Sequence, residues 1–232
     1  MSSIEKMKKK CVILTEDEIN SISGESNSLQ RKVYDALLDR FMNKELVPGQ
    51  IINRRQVAAE MNVSVAPVLE ALVKLEQEGF VMTIPRKGTI VSPAKETDIQ
   101  ECVIVREALE VEAVSFYCGE KVRSNYEDLI HYAAALDASP FQSIEHARME
   151  TIFHASLVNL ANVKLLFQEF VKINRVGFFY KINSMQSMVG SQSQKHVDLV
   201  DSLCTDDIVK AADAIRSHIR SGKPWSAEVF KR

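Results

Sequence analysis

No stretch of this sequence approaches the roughly 18 consecutive apolar residues of a membrane-spanning helix, so an integral helical membrane protein is excluded as a reading. There is no CxxC pair either. The four cysteines, Cys11, Cys102, Cys118 and Cys204, are scattered along a chain too long and apolar to depend on disulfide staples, which points to a reducing cytosol. Charge of one sign is not in excess: 29 Lys+Arg against 31 Asp+Glu leaves −2, which excludes a polyelectrolyte tail. Glycine is scarce, with eight in 232 residues, about half the usual frequency. Only four apolar residues, Cys11 to Leu14, separate Lys8-Lys9-Lys10 from Glu16-Asp17-Glu18, too few for the apolar core of a signal peptide.

What remains is an ordinary globular composition, 46% hydrophobic and 26% charged, long enough for one large domain or two smaller ones. Half of the glycines and prolines fall between Pro48 and Pro93, so the early part is cut into short elements and the rest is expected to be helical. Residues 1–27 mix charge and serine without periodicity and read as a mobile extension, and 223–232 as a tail. Between them the chain divides into residues 28–95, rich in breakers, and 96–222, built of long helical patterns. Charge divides at the same place: residues 1–95 hold 14 Lys+Arg and 12 Asp+Glu (+2), residues 96–232 hold 15 and 19 (−4).

In the first unit, Val33, Leu37, Leu38 and Phe41 recur at helical spacing until Pro48-Gly49. A short helix from Asn53 or Arg54 follows, with Val57, Ala58 and Met61 on its inner face, then a bend at 62–64. Ser64 suits the N-cap of the next helix, and Pro67 stands in its first turn, where a missing N–H does no harm. Gly79 stops that helix. The β-prone runs 81–84 and 89–91 flank Pro85-Arg86-Lys87-Gly88, a hairpin with a basic tip and glycine in the turn. Helix, short helix, helix and hairpin is the order of a winged helix-turn-helix. The second unit predicts about six helices, near 98–118, 124–137, 142–160, 163–185, 190–203 and 206–221, with no strand pattern between them, hence an antiparallel helical bundle. The fold class is therefore mainly α.

Glu150 and His154 share one helix face at i, i+4, within ligand reach of one metal ion, although such a pair is as readily a solvent-facing hydrogen bond. His196 and His218 lie beside apolar stripes on two later helices. A Glu and three His suit zinc, nickel or another divalent transition metal. The other two histidines, His131 and His146, read as surface. Arg106 and Glu110 make a further i, i+4 pair: a helix salt bridge, or an arginine turned inward to hold a carboxylate.

Taken together these residues resemble the GntR-type transcriptional regulators, specifically the FadR subfamily with its C-terminal helical ligand-binding domain, FCD, over about residues 28–222. The first unit carries Pro48-Gly49, Arg55-Gln56-Val57-Ala58-Ala59, Asn62-Val63-Ser64, Pro67-Val68, Glu70-Ala71-Leu72, Leu75, Glu78-Gly79-Phe80-Val81 and Arg86-Lys87-Gly88-Thr89-Ile90-Val91; the second carries Arg106 to Glu110, Phe153-His154, Asn162, His196, Asp207 with Ala211, and His218. The resemblance implies a cytoplasmic homodimer on double-stranded operator DNA. It also implies an effector pocket centred on a metal held by Glu150, His154, His196 and His218, with Arg106 and Asn162 toward the effector. DNA contacts would come from Arg54, Arg55, Ser64, Val65, Pro67, Arg86 and Lys87. Three departures stand out. Glu150 replaces the family's usual Asp, and Lys195 replaces the usual Glu before the second His. The recognition helix, usually Ser-Arg-Thr-Pro-Val-Arg-Glu-Ala-Leu, reads Ser64-Val65-Ala66-Pro67-Val68-Leu69-Glu70-Ala71-Leu72 and so lacks both guanine-reading arginines. One Glu, three neutral His, a divalent ion and Arg106 would make a positive pocket, suited to a sugar acid or hydroxy acid. Three alternatives stay open: a metal-free organic pocket, a metal-dependent hydrolase, and a winged helix that serves as an interaction module.

Overall fold

A computed structural model describes residues 11–21, 28–93, 95–141, 143–184 and 194–221. Among these, α1 (Glu16–Ser21) precedes α2 (Leu29–Met42), α3 (Arg54–Glu60), α4 (Val65–Gln77) and an antiparallel hairpin of β1 (Val81–Ile84) and β2 (Gly88–Val91). A helical bundle follows: α5 (Glu96–Val114), α6 (Glu120–Ser124), α7 (Tyr126–Ala138), α8 (Ile144–Asn159), α9 (Lys164–Ser184), α10 (His196–Leu203) and α11 (Ile208–Arg220). The winged helix-turn-helix and the helical bundle expected from the sequence are both present. The tail at 223–232 and the first residues of the helix expected from 190 lie outside the described residues.

The local chemistry accounts for the short elements. Ser28 accepts from the Arg31 N–H to start α2, and Asn53 accepts from the N–H groups of Arg55 and Gln56 to start α3. The bend between α3 and α4 turns on Asn62 at φ 53°, a left-handed conformation that asparagine tolerates better than most residues. Ser64 is the N-cap of α4 by position, but its hydroxyl makes no capping bond. At the hairpin tip the positive φ falls on Arg86 (64°) as well as Gly88 (101°), so glycine alone does not make the turn. Ile51 adds a short bridge to Ile90 and widens the wing.

In the bundle, the helix expected over 98–118 ends at Val114, and a five-residue helix, α6, starts beyond Gly119. That glycine has φ 74°, and a Cβ there would stand 2.0 Å from Asp206 Oδ1, so the chain can turn only where no side chain intervenes. The first residues are also corrected. Part of the segment expected to be mobile, 11–21, packs on the bundle: Ile19 is buried, and the N–H groups of Val12 and Leu14 donate to Asp128 Oδ2 (3.2 Å) and Ser156 Oγ (3.0 Å). Too few apolar residues occur there to show a period, yet Val12, Ile13, Leu14 and Ile19 suffice to dock it.

The two units share one core. Ile99 and Cys102 of α5 and Phe179 and Tyr180 of α9 are buried with Val33, Leu37, Phe41, Leu75 and Phe80 of the winged helix. Phe41 stacks on Phe80 with centroids 5.8 Å apart, and Phe179 meets both edge-on at 5.8 and 5.5 Å. Beside them the Tyr180 hydroxyl donates to the Gly79 carbonyl (3.3 Å) at the end of α4. Phe179→Ala should destabilise the chain by about 3–5 kcal/mol, the usual consequence of emptying a buried aromatic site, and split a single unfolding transition into two. Calorimetry checks this; a single transition at an unchanged midpoint would show that the seam does not join the units.

Candidate metal and effector site

Three helices deliver one imidazole each to a common point. His154 lies in the middle of α8, His196 opens α10, and His218 is in the last turn of α11; all three are buried. Their ligand nitrogens lie within 4.8 Å of one another. Position is fixed from behind. His154 Nδ1 is 2.6 Å from Glu110 Oε2, and His196 Nδ1 is 2.7 Å from Asp137 Oδ1. Asp137 also accepts from the backbone N–H groups of His196 and Val197, so a carboxylate from α7 caps the first turn of α10, where Lys195 offers no side-chain cap. Arg220, two residues beyond His218, grips Glu107 of α5 with two hydrogen bonds (2.8 and 2.5 Å) and holds the end of α11 against that helix.

A carboxylate can only accept, so Nδ1 of His154 and of His196 carries the proton, and Nε2 is left with a lone pair. Among the described residues neither His154 Nε2 nor His218 Nδ1 has a hydrogen-bond partner, and both are fully shielded. Burial pushes His154 down to about 4, against the pull of Glu110, and pushes His218 well below the ordinary range, helped by the other two imidazoles. Burial would raise the Glu110 carboxyl, but His154 and the Arg106 guanidinium outweigh it and hold it at about 2. The result is two imidazoles, His154 and His218, held neutral by burial, with carboxylates fixed behind His154 and His196.

Glu150 is on the same helix face as His154, as its spacing predicts, but it is not among the clustered ligand groups. Its carboxylate is held by the Lys181 ammonium from α9 and by Arg106 (3.4 Å). Two cations claim it before the imidazoles do. Arg106 does turn inward, where its Nε meets Glu110 Oε1 at 2.6 Å. Asn162 is elsewhere: exposed, at φ 57°, it makes the turn between α8 and α9. His146, read as surface, is buried, 2.8 Å from Ser139 Oγ, because the first turn of α8 faces the C-terminus of α7; His131 is exposed as expected. Sequence reading missed Asp137 and Lys181, which no spacing relates to the histidines, and saw Glu110 only as a partner for Arg106.

On the winged unit, Arg55, Ser64, Val65, Arg86 and Lys87 are exposed and Pro67 half-buried, while Arg54 donates to Thr89 Oγ1 (2.7 Å) and thereby ties α3 to the wing. Val65, Leu69 and Val73, at i, i+4 and i+8 of α4, are 37%, 39% and 55% exposed and form an apolar ridge along its outer side.

Residues 29–91 match the model of the gntR family of bacterial regulatory proteins, and residues 101–221, more than half of the chain, match the FCD domain. The chain belongs to the GntR family. It is a DNA-binding transcriptional regulator of the GntR type with an FCD domain. This GntR protein is 25% identical over 211 residues to an HTH-type transcriptional regulator in an unstable DNA locus of Streptomyces ambofaciens, covering 86% of this chain and 84% of that one. It is 26% identical over 219 residues (87% and 92%) to a "Probable D-xylose utilization operon transcriptional repressor" of Paenarthrobacter nicotinovorans. In fold it is similar to Escherichia coli McbR/YncC (TM-score 0.62, 15% identity, 89% and 100% covered) and to a GntR regulator of Rhodococcus sp. RHA1 (TM-score 0.62, 18%, 87% and 97%). No helix among the described residues is long and apolar enough to cross a membrane.

Burial of His154 and His218 in neutral form sets a pH dependence for the metal-free regulator. Their folded values lie below the unfolded 6.5, so the unfolded state binds more protons in between. The stability they contribute is full above pH 6.5 and is lost as pH falls toward about 4, with a slope of up to about 1.4 kcal/mol per pH unit for each histidine. The share of Glu110 is lost only below its ordinary 4.5, so between 6.5 and 4.5 the loss comes from buried histidines, His146, which burial also lowers, included. Urea midpoints of chelator-treated protein should fall across that window, and a flat profile would mean the imidazoles are not buried neutral.

Proposed function

We propose that this GntR regulator binds double-stranded operator DNA as a cytoplasmic homodimer, and that its FCD domain senses a small carboxylate metabolite, a sugar acid or hydroxy acid, at a divalent transition metal, zinc or nickel. The reading rests on one observation: three buried imidazoles converge, and two of their nitrogens, His154 Nε2 and His218 Nδ1, have no hydrogen-bond partner among the described residues. A buried nitrogen without a partner is unfavourable by about 1–3 kcal/mol, and two of them, with the His196 ring in the same cluster, suit a cation. His154, His196 and His218 would hold it. When bound, the ion supplies a positive centre with open positions for carboxylate or hydroxyl oxygens.

The surrounding residues favour an acid only once the ion is present. Glu110, Glu150 and Asp137 carry three formal negative charges, Arg106 and Lys181 two positive ones, and the imidazoles none. One negative charge is therefore in excess without a divalent ion and one positive charge with it, so the same walls repel an acid in the first state and attract it in the second. Regulation needs an effector that binds the DNA-competent and DNA-incompetent dimers unequally. Helices α5 and α9 offer the connection: Arg106 and Glu110 lie one to two turns beyond Cys102, and Lys181 directly follows Phe179 and Tyr180, all of which enter the winged-helix core.

Protein purified without chelator should carry close to one equivalent of zinc or nickel and lose it in His196→Ala, by elemental analysis. Loaded protein should melt higher with hydroxy or sugar acids than with neutral sugars, D-xylose included. Less than about a tenth of an equivalent of any transition metal, unaffected by the substitution, would refute metal sensing.

On DNA, the ridge of Val65, Leu69 and Val73 presents apolar atoms where a guanine reader would present a guanidinium, so contact with thymine methyls gains relative weight. Selection from random DNA should return palindromes poor in guanine at the recognition-helix positions, and Leu69→Arg should shift them toward guanine. Neutralising Arg86 and Lys87 should weaken binding to every sequence and flatten its salt dependence. Guanine-rich half-sites from the unaltered protein would assign base reading to Arg54 or Arg55 instead.

A further inference from the structure

The inner face of the hairpin changes character before its tip. In the register of β1 with β2, Val81 faces Val91 and Thr83 faces Thr89 on the side toward the helices, while Met82 and Ile90 between them face away. Val81 and Val91 are buried in the winged-helix core. Thr89 is equally shielded, at 2% exposure, yet polar, and its hydroxyl oxygen accepts an N–H of Arg54 at 2.7 Å. The Thr83 hydroxyl lies 3.5 Å from that of Thr89 and donates to Glu76 Oε2 (3.1 Å), while Glu76 Oε1 accepts the Thr83 N–H (2.6 Å). A guanidinium can only donate and a carboxylate can only accept, so the Thr89 hydrogen points to Thr83 and the Thr83 hydrogen to Glu76. Four side chains from α3, β2, β1 and α4 thus form one relay, whose longest link is the one between the two hydroxyls.

The valine rung is held by burial, which has no preferred direction. Hydrogen bonds do have one, so the threonine rung fixes the tilt of the hairpin against α3 and α4 together. Residues 52–54 grip Thr89 twice, since its carbonyl accepts the Ile52 N–H (2.9 Å) as its hydroxyl accepts Arg54. Arg86 and Lys87 stand two to three residues beyond, roughly 7–10 Å at the rise of a strand. The turn between is closed by the Lys87 N–H on the Ile84 carbonyl (3.1 Å), so a tilt at Thr89 is carried out to the tip.

We propose that Arg54 is a positioning residue for the wing: through Thr89, Thr83 and Glu76 it sets the angle at which Arg86 and Lys87 meet DNA while α4 lies in the groove. This rests on operator binding with phosphate contact by Arg86 and Lys87, and adds what places them. One N–H of Arg54 is committed to a buried acceptor, so the guanidinium cannot swing to a base edge without opening the relay.

The test measures the share of binding that the wing supplies, as the ratio of affinities of the full chain without and with Arg86→Met and Lys87→Met together, for a fluorescent mixed-sequence duplex at low salt. In the otherwise unaltered protein the pair should weaken binding by about tenfold or more. Thr89→Val, which keeps the shape and removes the acceptor, should cut that ratio to about threefold or less, and Arg54→Met should do the same. Glu76→Ala and Glu76→Gln remove the same charge, but only glutamine keeps an oxygen for Thr83, so alanine should lower the ratio and glutamine preserve it. Thermal melts check each fold, and the exposed Glu76 pair carries the test if Thr89→Val does not fold. A ratio unchanged by Thr89→Val or by Glu76→Ala overturns the positioning role and leaves wing contact standing. Weaker binding in Arg54→Met with the ratio intact assigns Arg54 a direct contact with DNA and likewise overturns it. A ratio near one in the otherwise unaltered protein overturns wing contact itself and this proposal with it.

Discussion

Everything that could make this molecule a sensor passes through the place where Phe179, a residue of the bundle, completes the core of the winged helix. Phe41 and Phe80 stack, and Phe179 closes the cluster edge-on. A packed aromatic cluster has few alternative arrangements at the density of a protein interior. The DNA-reading unit therefore cannot reorient freely while α9 keeps its register, and a rotation of α9 must move Phe80, which follows α4 by three residues. The same helix carries Lys181 into the polar cluster, so seam and site are set on adjacent residues of one rigid element.

Burial governs the site itself. Three imidazoles are taken out of water, and burial holds His154 and His218 neutral. Glu110 and Asp137 make this specific by fixing which nitrogen carries the proton on His154 and His196. Beside the imidazoles, Arg106, Glu150 and Lys181 form a second layer of opposite charges, less buried than the histidines.

The winged unit departs from the resemblance in chemistry, not in shape. Helices α3 and α4, the bend at Asn62 and the hairpin all form as expected, while the outer side of α4 is apolar where arginines would stand. Arg86 in a left-handed conformation at the hairpin tip keeps a cation at the end of the wing, and Arg54 binds the wing to α3 through Thr89. The scaffold that presents residues to DNA is thus maintained independently of which residues it presents.

Much of this was legible in the sequence. Helical period, the Ser28 and Asn53 caps, Pro67 in a first turn and the basic-tipped hairpin are local features, determined by residues a few positions apart. So were the identities of the three histidines, since each lies on an apolar helix face. What the sequence could not decide was which groups meet across elements. Glu110 and Asp137 reach His154 and His196 from 44 and 59 residues away. Glu150 and His154 share a face by spacing, yet Lys181, 31 residues on, competes for the carboxylate. Asn162 sits at a turn and not at the site, and the first residues dock although they have no period. Local pattern fixes backbone conformation because it depends on propensity and capping; ligand sets and ion pairs depend on which helices pack together, and only the tertiary structure decides that.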